Sequence, residues 1–295
     1  MKQLLILSGK GGTGKTTVAG ALIKLSQARA YADCDVDAPN LHLSMTQTAD
    51  PERNDYYGMP KAQIDAEACI GCGQCKENCR FDAIINNNGY AVDPFSCEGC
   101  GVCEALCPVN AVSMKPAVAG EQMLYRTTYS VFSTAQLKMG SGTSGKLVTE
   151  VKKRMLSSLL PETELAVIDG SPGIGCPVIA SMSGVSMVLI VAEPSVSGIS
   201  DMERILHTAE IFHTQTCVCV NKADVNLELT ERIERYCEEK QIPFVGIIPY
   251  DSQAVAAINN GKTIVELDCP SGRAVRKIYA ETMRLLQVQA GGIEA

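Results

Sequence analysis

The segment that leaves this chain the fewest choices is Gly9-x4-Gly14-Lys15-Thr16, which reads Gly-Lys-Gly-Gly-Thr-Gly-Lys-Thr over residues 9–16. An apolar run over 3–8 leads into it, and 15–28 follow with apolar side chains at helical spacing, Val18, Leu22, Ile23 and Leu25. Glycines accept dihedrals that other residues resist and leave space for a ligand, so the backbone of such a loop can close around phosphate oxygens. Gly9, Gly11, Gly12, Thr13, Gly14, Lys15, Thr16 and Thr17 are therefore candidate nucleotide contacts. Lys15 would reach the β- and γ-phosphates, and the Thr16 hydroxyl would bind Mg²⁺. The helix that follows brings its positive end to the same point. Strand, loop and helix in that order call for an α/β fold.

The remainder of the chain keeps to that class. A second short strand is expected to end near Cys34, in the stretch Asp33-Cys34-Asp35-Val36-Asp37-Ala38-Pro39-Asn40. Further strands are expected over 165–168, stopping at Asp169, and over 187–192, 217–220 and 244–248, stopping at Glu193, Asn221 and Pro249. Helical patterns lie at 146–158, 200–213, 228–240 and 272–288. Strands alternating with helices imply a doubly wound, mainly parallel sheet with its functional loops at the carboxyl ends of the strands. A formal net charge of −7 argues against a general nucleic-acid binder. The longest apolar stretch, 185–192, is far short of a membrane span, so a soluble cytoplasmic protein with no membrane partner is expected.

Between 61 and 115 the alternation is interrupted. Fourteen cysteines would suit a secreted disulfide scaffold, but the N-terminal apolar run is too short for a signal peptide and continues into the glycine loop. Eight of the fourteen fall between Cys69 and Cys107, in a segment that is an internal duplication. Cys69-x2-Cys72-x2-Cys75-x3-Cys79 aligns with Cys97-x2-Cys100-x2-Cys103-x3-Cys107, and Ile64-Asp65 and Phe81-Asp82-Ala83-Ile84 align with Val92-Asp93 and Val109-Asn110-Ala111-Val112. Thiolates are soft ligands, and such a run brings three sulfurs to one iron–sulfur cluster from a single loop. Zinc would also accept four thiolates, but it gives no reason for a duplicated, interlocked spacing. Over 67–110 six carboxylates face two bases, Lys76 and Arg80, which would suit a basic docking partner or simply a solvated surface. Residues 1–60 and 116–295 are thus expected to form one α/β domain, with 47–60 as a polar linker into an inserted α+β domain at 61–115.

The duplicated run resembles bacterial two-cluster ferredoxins, in which the fourth cysteine of each run bonds the other cluster. That resemblance implies two 4Fe–4S clusters, one on Cys69, Cys72, Cys75 and Cys107, the other on Cys97, Cys100, Cys103 and Cys79. Cys107-Pro108 keeps the ferredoxin proline, whereas Cys79-Arg80 departs from it. The extra lysine after the first loop glycine, Lys10, resembles the deviant phosphate loop of the MinD/ParA/Mrp ATPases, a group that includes the nitrogenase iron protein. With the ferredoxin insert, the resemblance covers essentially the whole chain. It implies that Lys10 crosses a dimer interface to the partner's nucleotide. Asp35 would be the switch I carboxylate orienting water near Mg²⁺, and Asp169-Gly170-Ser171-Pro172-Gly173 would be switch II. Asn221 sits where the family holds adenine, and Pro249-Tyr250-Asp251 resembles another base-side loop. Their uses outside function would be as helix caps, for Asp35 and Asp169, and as a turn residue, for Asn221.

Other features add less. Cys176 lies seven residues after Asp169, the spacing of a shared-cluster cysteine in the nitrogenase iron protein, but no second cysteine accompanies it between the insert and switch II. Cys34, Cys217, Cys219, Cys237 and Cys269 read as small core residues. The glycine/serine-rich loop over 138–146 resembles one in the same ATPases. The series Val275, Ile278, Tyr279, Met283 and Leu286 lacks a basic face and is expected to pack on the sheet. The functional expectation is an ATP-dependent homodimer that hydrolyses ATP and gates electron transfer through its clusters, working with a redox or cofactor-assembly protein. The alternatives are an Mrp-like iron–sulfur or metal-cofactor carrier, and a redox-sensing regulatory switch.

Overall fold

Residues 4–7, 166–168, 187–191 and 217–220 are fully buried without a break. Runs of that kind belong in the middle of a sheet covered on both faces. In the computed structural model, which describes residues 1–45 and 47–288, they lie within four neighbouring strands. In chain order the strands are β1 (Lys2–Leu7), β2 (Ala30–Asp33), β3 (Glu52–Tyr57), β4 (Lys61–Ile64), β5 (Ile84–Asn86), β6 (Tyr90–Val92) and β7 (Val112–Lys115). They continue as β8 (Val118–Arg126), β9 (Val131–Leu137), β10 (Leu165–Asp169), β11 (Met187–Ala192), β12 (Gln215–Asn221) and β13 (Phe244–Ile248). The helices are α1 (Lys15–Ser26), α2 (Gln74–Glu77), α3 (Val102–Leu106), α4 (Ser144–Ser157), α5 (Cys176–Met182), α6 (Val196–Ile211), α7 (Leu227–Glu239), α8 (Ser252–Asn259) and α9 (Pro270–Val288).

Two units divide the chain: Met1–Glu52, Met123–Ala135 and the residues from Gly145 on form one, and Arg53–Gln122 with Gln136–Ser144 the other. In the first, the strands run in the order β13-β12-β11-β1-β10-β2-β9, each parallel to its neighbours. The loop strand β1 sits between β10 and β11, with Lys2 opposite Leu165 and Ile6 opposite Asp169. This register brings the ends of β1, β2 and β10 level, so Asp33 and Asp169 arrive beside the glycine loop. Leu4 and Ile6 share a core with Val18, Leu22 and Ile23 of α1 and Val275, Ile278 and Leu286 of α9. The last helix therefore packs on the sheet, as its apolar series implied. Among the described residues no helix is long and apolar enough to cross a membrane.

Several elements differ from the sequence reading. The expected linker 47–60 contains β3, in which only Tyr56 is buried. A strand at the end of the sheet order, as β3 is, can stay polar because little covers it, and so it leaves no alternating pattern to read. Strand β9 went unread because Ser133 and Thr134 interrupt its apolar run, yet Val131 to Ala135 are all buried and the strand pairs with β2. The Ser133 hydroxyl is satisfied by the Val151 carbonyl at 2.8 Å. Helix α4 carries one buried cation, Lys152, whose ammonium donates to the carbonyls of Ser181 and Ser183 at 2.6 Å each. Burial pulls its pKa down, and these bonds cap the otherwise orphaned end of α5.

Candidate functional site

β1 ends at Leu7, and the chain turns through Gly12 and Gly14, which take the left-handed angles φ 78° and 90°. A side chain at Gly14 would be doubly resisted, because its Cβ would stand 2.2 Å from Asn221 Nδ2. That amide donates to the Thr13 carbonyl at 2.6 Å, and Lys222 Nζ donates to the Gly12 carbonyl at 2.9 Å. The end of β12 thus braces the loop from outside. Asn221, expected at the base, also lines a cavity with Gly12, Gly14, Thr17, Pro249, Tyr250 and Asp251.

Lys10 turns back onto its own chain, 3.0 Å from the Glu193 carboxylate and 3.3 Å from the hydroxyls of Ser195 and Ser197. Glu193 pairs with Lys222 as well, at 3.2 Å. Against the cost of its partial burial, the hydrogen bonds from Lys10 and Lys222 hold the Glu193 carboxyl below the usual carboxylate range. Glu193 and Lys222 were not candidate site residues in the sequence. The available signal was their position at strand ends, beside residues already singled out.

The floor of the site is a buried charge cluster. Lys15 Nζ lies 2.6 Å from Asp169 Oδ1, and the Thr16 hydroxyl donates to Asp169 Oδ2 at 2.6 Å. Burial works against the Lys15 ammonium, but Asp169, with Asp33 and Asp35 nearby, outweighs it and raises the pKa. Asp33, fully buried, accepts from the backbone N–H groups of Asp35 at 3.0 Å, Asn40 at 2.9 Å and Leu41 at 3.0 Å. It therefore holds the segment that carries Asp35 in a fixed bend. Asp35 itself is pushed upward, chiefly by burial, with Lys15 opposing. Asp35, Asn40 and Pro172 face one open cavity together with Lys10 and the loop from Gly11 to Thr17. The Thr13 hydroxyl, in the same lining, is buried and has no hydrogen-bond partner.

Burial and the neighbouring Asp169 push Asp33 up to about 7 from its ordinary 3.8, with Lys15 opposing. A carboxyl raised on folding adds stability that is present below its unfolded value and lost as pH climbs through the folded one. Asp33→Asn keeps one carbonyl oxygen for the bend and is expected to cost about 1–2 kcal/mol near neutrality. It should also flatten the decline in stability between about pH 5 and about pH 7, measured by urea unfolding at a series of pH values. An unchanged slope would mean that Asp33 does not titrate there.

The cysteine unit is built twice over. β4 pairs antiparallel with β7, Ile64 opposite Val112, and β5 with β6, Ile84 opposite Val92. Each strand entering one repeat therefore pairs with the strand leaving the other. Equivalent bonds recur: Asp65 N donates to Ala111 O at 2.8 Å and Asp93 N to Ala83 O at 2.7 Å. Cys69 N and Cys97 N donate to Asp65 O and Asp93 O at 3.0 and 3.1 Å. Gly71 and Gly99 share a φ of 72° and 71°, and Asp82 and Asn110 one of 50° and 53°. The exchange brings Cys79 of the first repeat into one cavity with Cys97, Cys100 and Cys103 of the second. Cys69 and Cys72 act electrostatically on Cys75, so these three thiols are neighbours too. Cys107 Sγ accepts from Ala111 N at 3.2 Å, and backbone N–H groups, Val109 foremost, lower its pKa.

Among the described residues no three His, Cys, Asp or Glu side chains converge in the arrangement of a single-ion site. Thiolates on a cubane bind different irons and stand further apart than those on one ion. None of the fourteen cysteines is in a disulfide; Cys34, Cys217, Cys219, Cys237 and Cys269 are buried, as their core reading implied, while Cys176 is exposed at the start of α5.

A model of the CobQ/CobB/MinD/ParA nucleotide binding domain matches residues 4–264. The chain belongs to that family. An uncharacterized protein of Methanocaldococcus jannaschii is 32% identical over 228 residues, covering 76% of this chain and 79% of its own. The iron–sulfur cluster carrier protein of Pyrococcus furiosus is 23% identical over 314 residues, covering 99% of this chain and 89% of its own. Among solved structures, the septum site-determining protein MinD of Pyrococcus horikoshii in complex with Mg-ADP superposes with a TM-score of 0.58 at 16% identity, covering 98% and 99%. This CobQ/CobB/MinD/ParA member accordingly carries the P-loop ATPase fold of MinD, with its mainly parallel sheet.

Proposed function

We propose that the chain is an ATP-hydrolysing dimer whose nucleotide state gates electron transfer through two 4Fe–4S clusters held by residues 61–115. The observation that carries this reading is the cavity shared by Cys79, Cys97, Cys100 and Cys103. It joins a cysteine of one repeat to three of the other, the crossed set that two-cluster ferredoxins use, on a chain with a complete phosphate loop. Bound clusters supply one-electron redox chemistry.

At the nucleotide site the donor set suits a triphosphate with Mg²⁺. The Thr13 hydroxyl is a buried donor without a partner, and Thr16, Asp35 and Asp169 offer the hard oxygens that Mg²⁺ takes. Lys15 would turn from Asp169 to the phosphate oxygens, and the Thr16 hydroxyl would help hold Mg²⁺. Asp169 so released would be free to help hold Mg²⁺, and its movement would pull on Gly170 and Gly173, whose N–H groups donate to Ile6 O and Ser8 O at 2.9 and 3.0 Å. Asp35, fixed by Asp33, would orient the attacking water. Lys10 would exchange Glu193 for the phosphates of the partner's nucleotide. Asn221 would serve the base-side cavity while bracing the loop.

A second reading is favoured by the relative named as an iron–sulfur cluster carrier. In it the clusters are cargo delivered to a client protein, and ATP drives their release. One measurement separates the two. The anaerobically reconstituted protein is titrated potentiometrically with no nucleotide, with Mg-ADP and with a nonhydrolysable Mg-ATP analogue. Gating requires that potentials or the rate of electron transfer to an acceptor differ among these states. Identical values in all three, with clusters moving to an apo-acceptor on ATP addition, would replace gating by delivery.

A further inference from the structure

The two halves of the cysteine unit repeat each other so closely that any break in their symmetry stands out. One break is a charge. Lys61, on β4, donates its ammonium to the carbonyl of Cys97. The duplication sets each residue of the first repeat against the one twenty-eight further on, Ile64 against Val92 and Cys69 against Cys97. Lys61 therefore has Gly89 as its counterpart, which offers no side chain toward Cys69. The asymmetry falls at the most enclosed ligand, since Cys97 alone of the eight cysteines is buried.

We infer that Lys61 selectively tunes the cluster bound by Cys79, Cys97, Cys100 and Cys103, raising its reduction potential while leaving the other nearly unchanged. The inference rests on the two-cluster reading given above. Reduction adds one electron, and so one negative charge, to a cluster. A fixed cation beside its ligand loop stabilises the reduced form more than the oxidised form. The effect falls with distance and is strongest where water is excluded, which is the situation at Cys97. Lys61 also fixes the Cys97 carbonyl and hence the entry to the ligand loop, so removing the side chain would mix two effects. Lys61→Gln separates them, because glutamine can still donate to the carbonyl but carries no charge. Lys61→Arg keeps both.

The test uses the full chain, reconstituted anaerobically, with dithionite as the source of electrons, redox mediators and electron paramagnetic resonance to follow each cluster. Iron is counted first. Fully loaded wild-type protein that holds about four iron atoms per chain or fewer, instead of about eight, refutes the two-cluster reading itself. With both clusters present, Lys61→Gln should shift one midpoint potential downward and leave the other in place, and Lys61→Arg should restore it. The shifted signal should be the one that a Cys100→Ala variant lacks. No shift in Lys61→Gln, an equal shift of both clusters, or a shift confined to the signal that Cys100→Ala retains would each overturn the inference while leaving the clusters established.

Discussion

Lys15→Ala is expected to abolish nucleotide binding while both clusters persist. Among the described residues the lysine is the buried cation paired with Asp169, and burial leaves that pair almost no solvent to fall back on. Removing one member of such a pair costs roughly 3–5 kcal/mol, which is more than about 100-fold in affinity if it appears in binding. The free protein should suffer too, since Asp169 and Asp33 would be left facing each other with only the Thr16 hydroxyl and backbone donors. Because Asp33 can take up a proton, the loss of stability should be smaller at about pH 6 than at about pH 8. Calorimetric titration with Mg-ATP, alongside iron content and visible absorbance, reads the outcome. Cluster loss in step with the loss of binding would mean that the cysteine unit does not hold its metal independently. That unit has its own small core of Ala62, Ala83, Cys97 and Val112, the physical basis for expecting independence.

Cys79→Ala should cost one whole cluster, and the informative point is which one. Strand exchange between the repeats places Cys79 with Cys97, Cys100 and Cys103. The variant is therefore expected to fall from about eight iron atoms per chain to about four. It should lose the same resonance as Cys100→Ala and keep the one that Cys72→Ala loses. If Cys79→Ala instead shares its missing signal with Cys72→Ala, each run of four serves its own cluster and the crossed assignment is wrong.

The parts of this protein that could be read directly are those whose neighbours in space are also neighbours in sequence. The glycine loop is one, since strand, loop and helix are contiguous. Strand β11, buried throughout, and the half-buried β13 are others, because β-rich apolar runs between polar breaks leave little ambiguity. Elements that tertiary context overrides were missed: β3 is polar because it lies at the end of the sheet order, and β9 hides Ser133 and Thr134 in the interior. Asp33 was passed over because, to a local reading, it is an ordinary residue at a strand end. Its importance comes from three N–H groups up to eight residues away and from Asp169 across the sheet.

Sequence alone was sufficient to specify the chemistry on offer: a phosphate cradle with a lysine and a hydroxyl at its helix end, and thiols spaced for clusters. Those properties reside in residue type and short spacing. Only the tertiary structure decided the pairings of the nucleotide site: Lys15 with Asp169, 154 residues apart, and Lys10 with Glu193. The reason is strand order. Placing β10 and β11 on either side of β1 is an outcome of how apolar faces are shared among distant segments, and no local pattern encodes it.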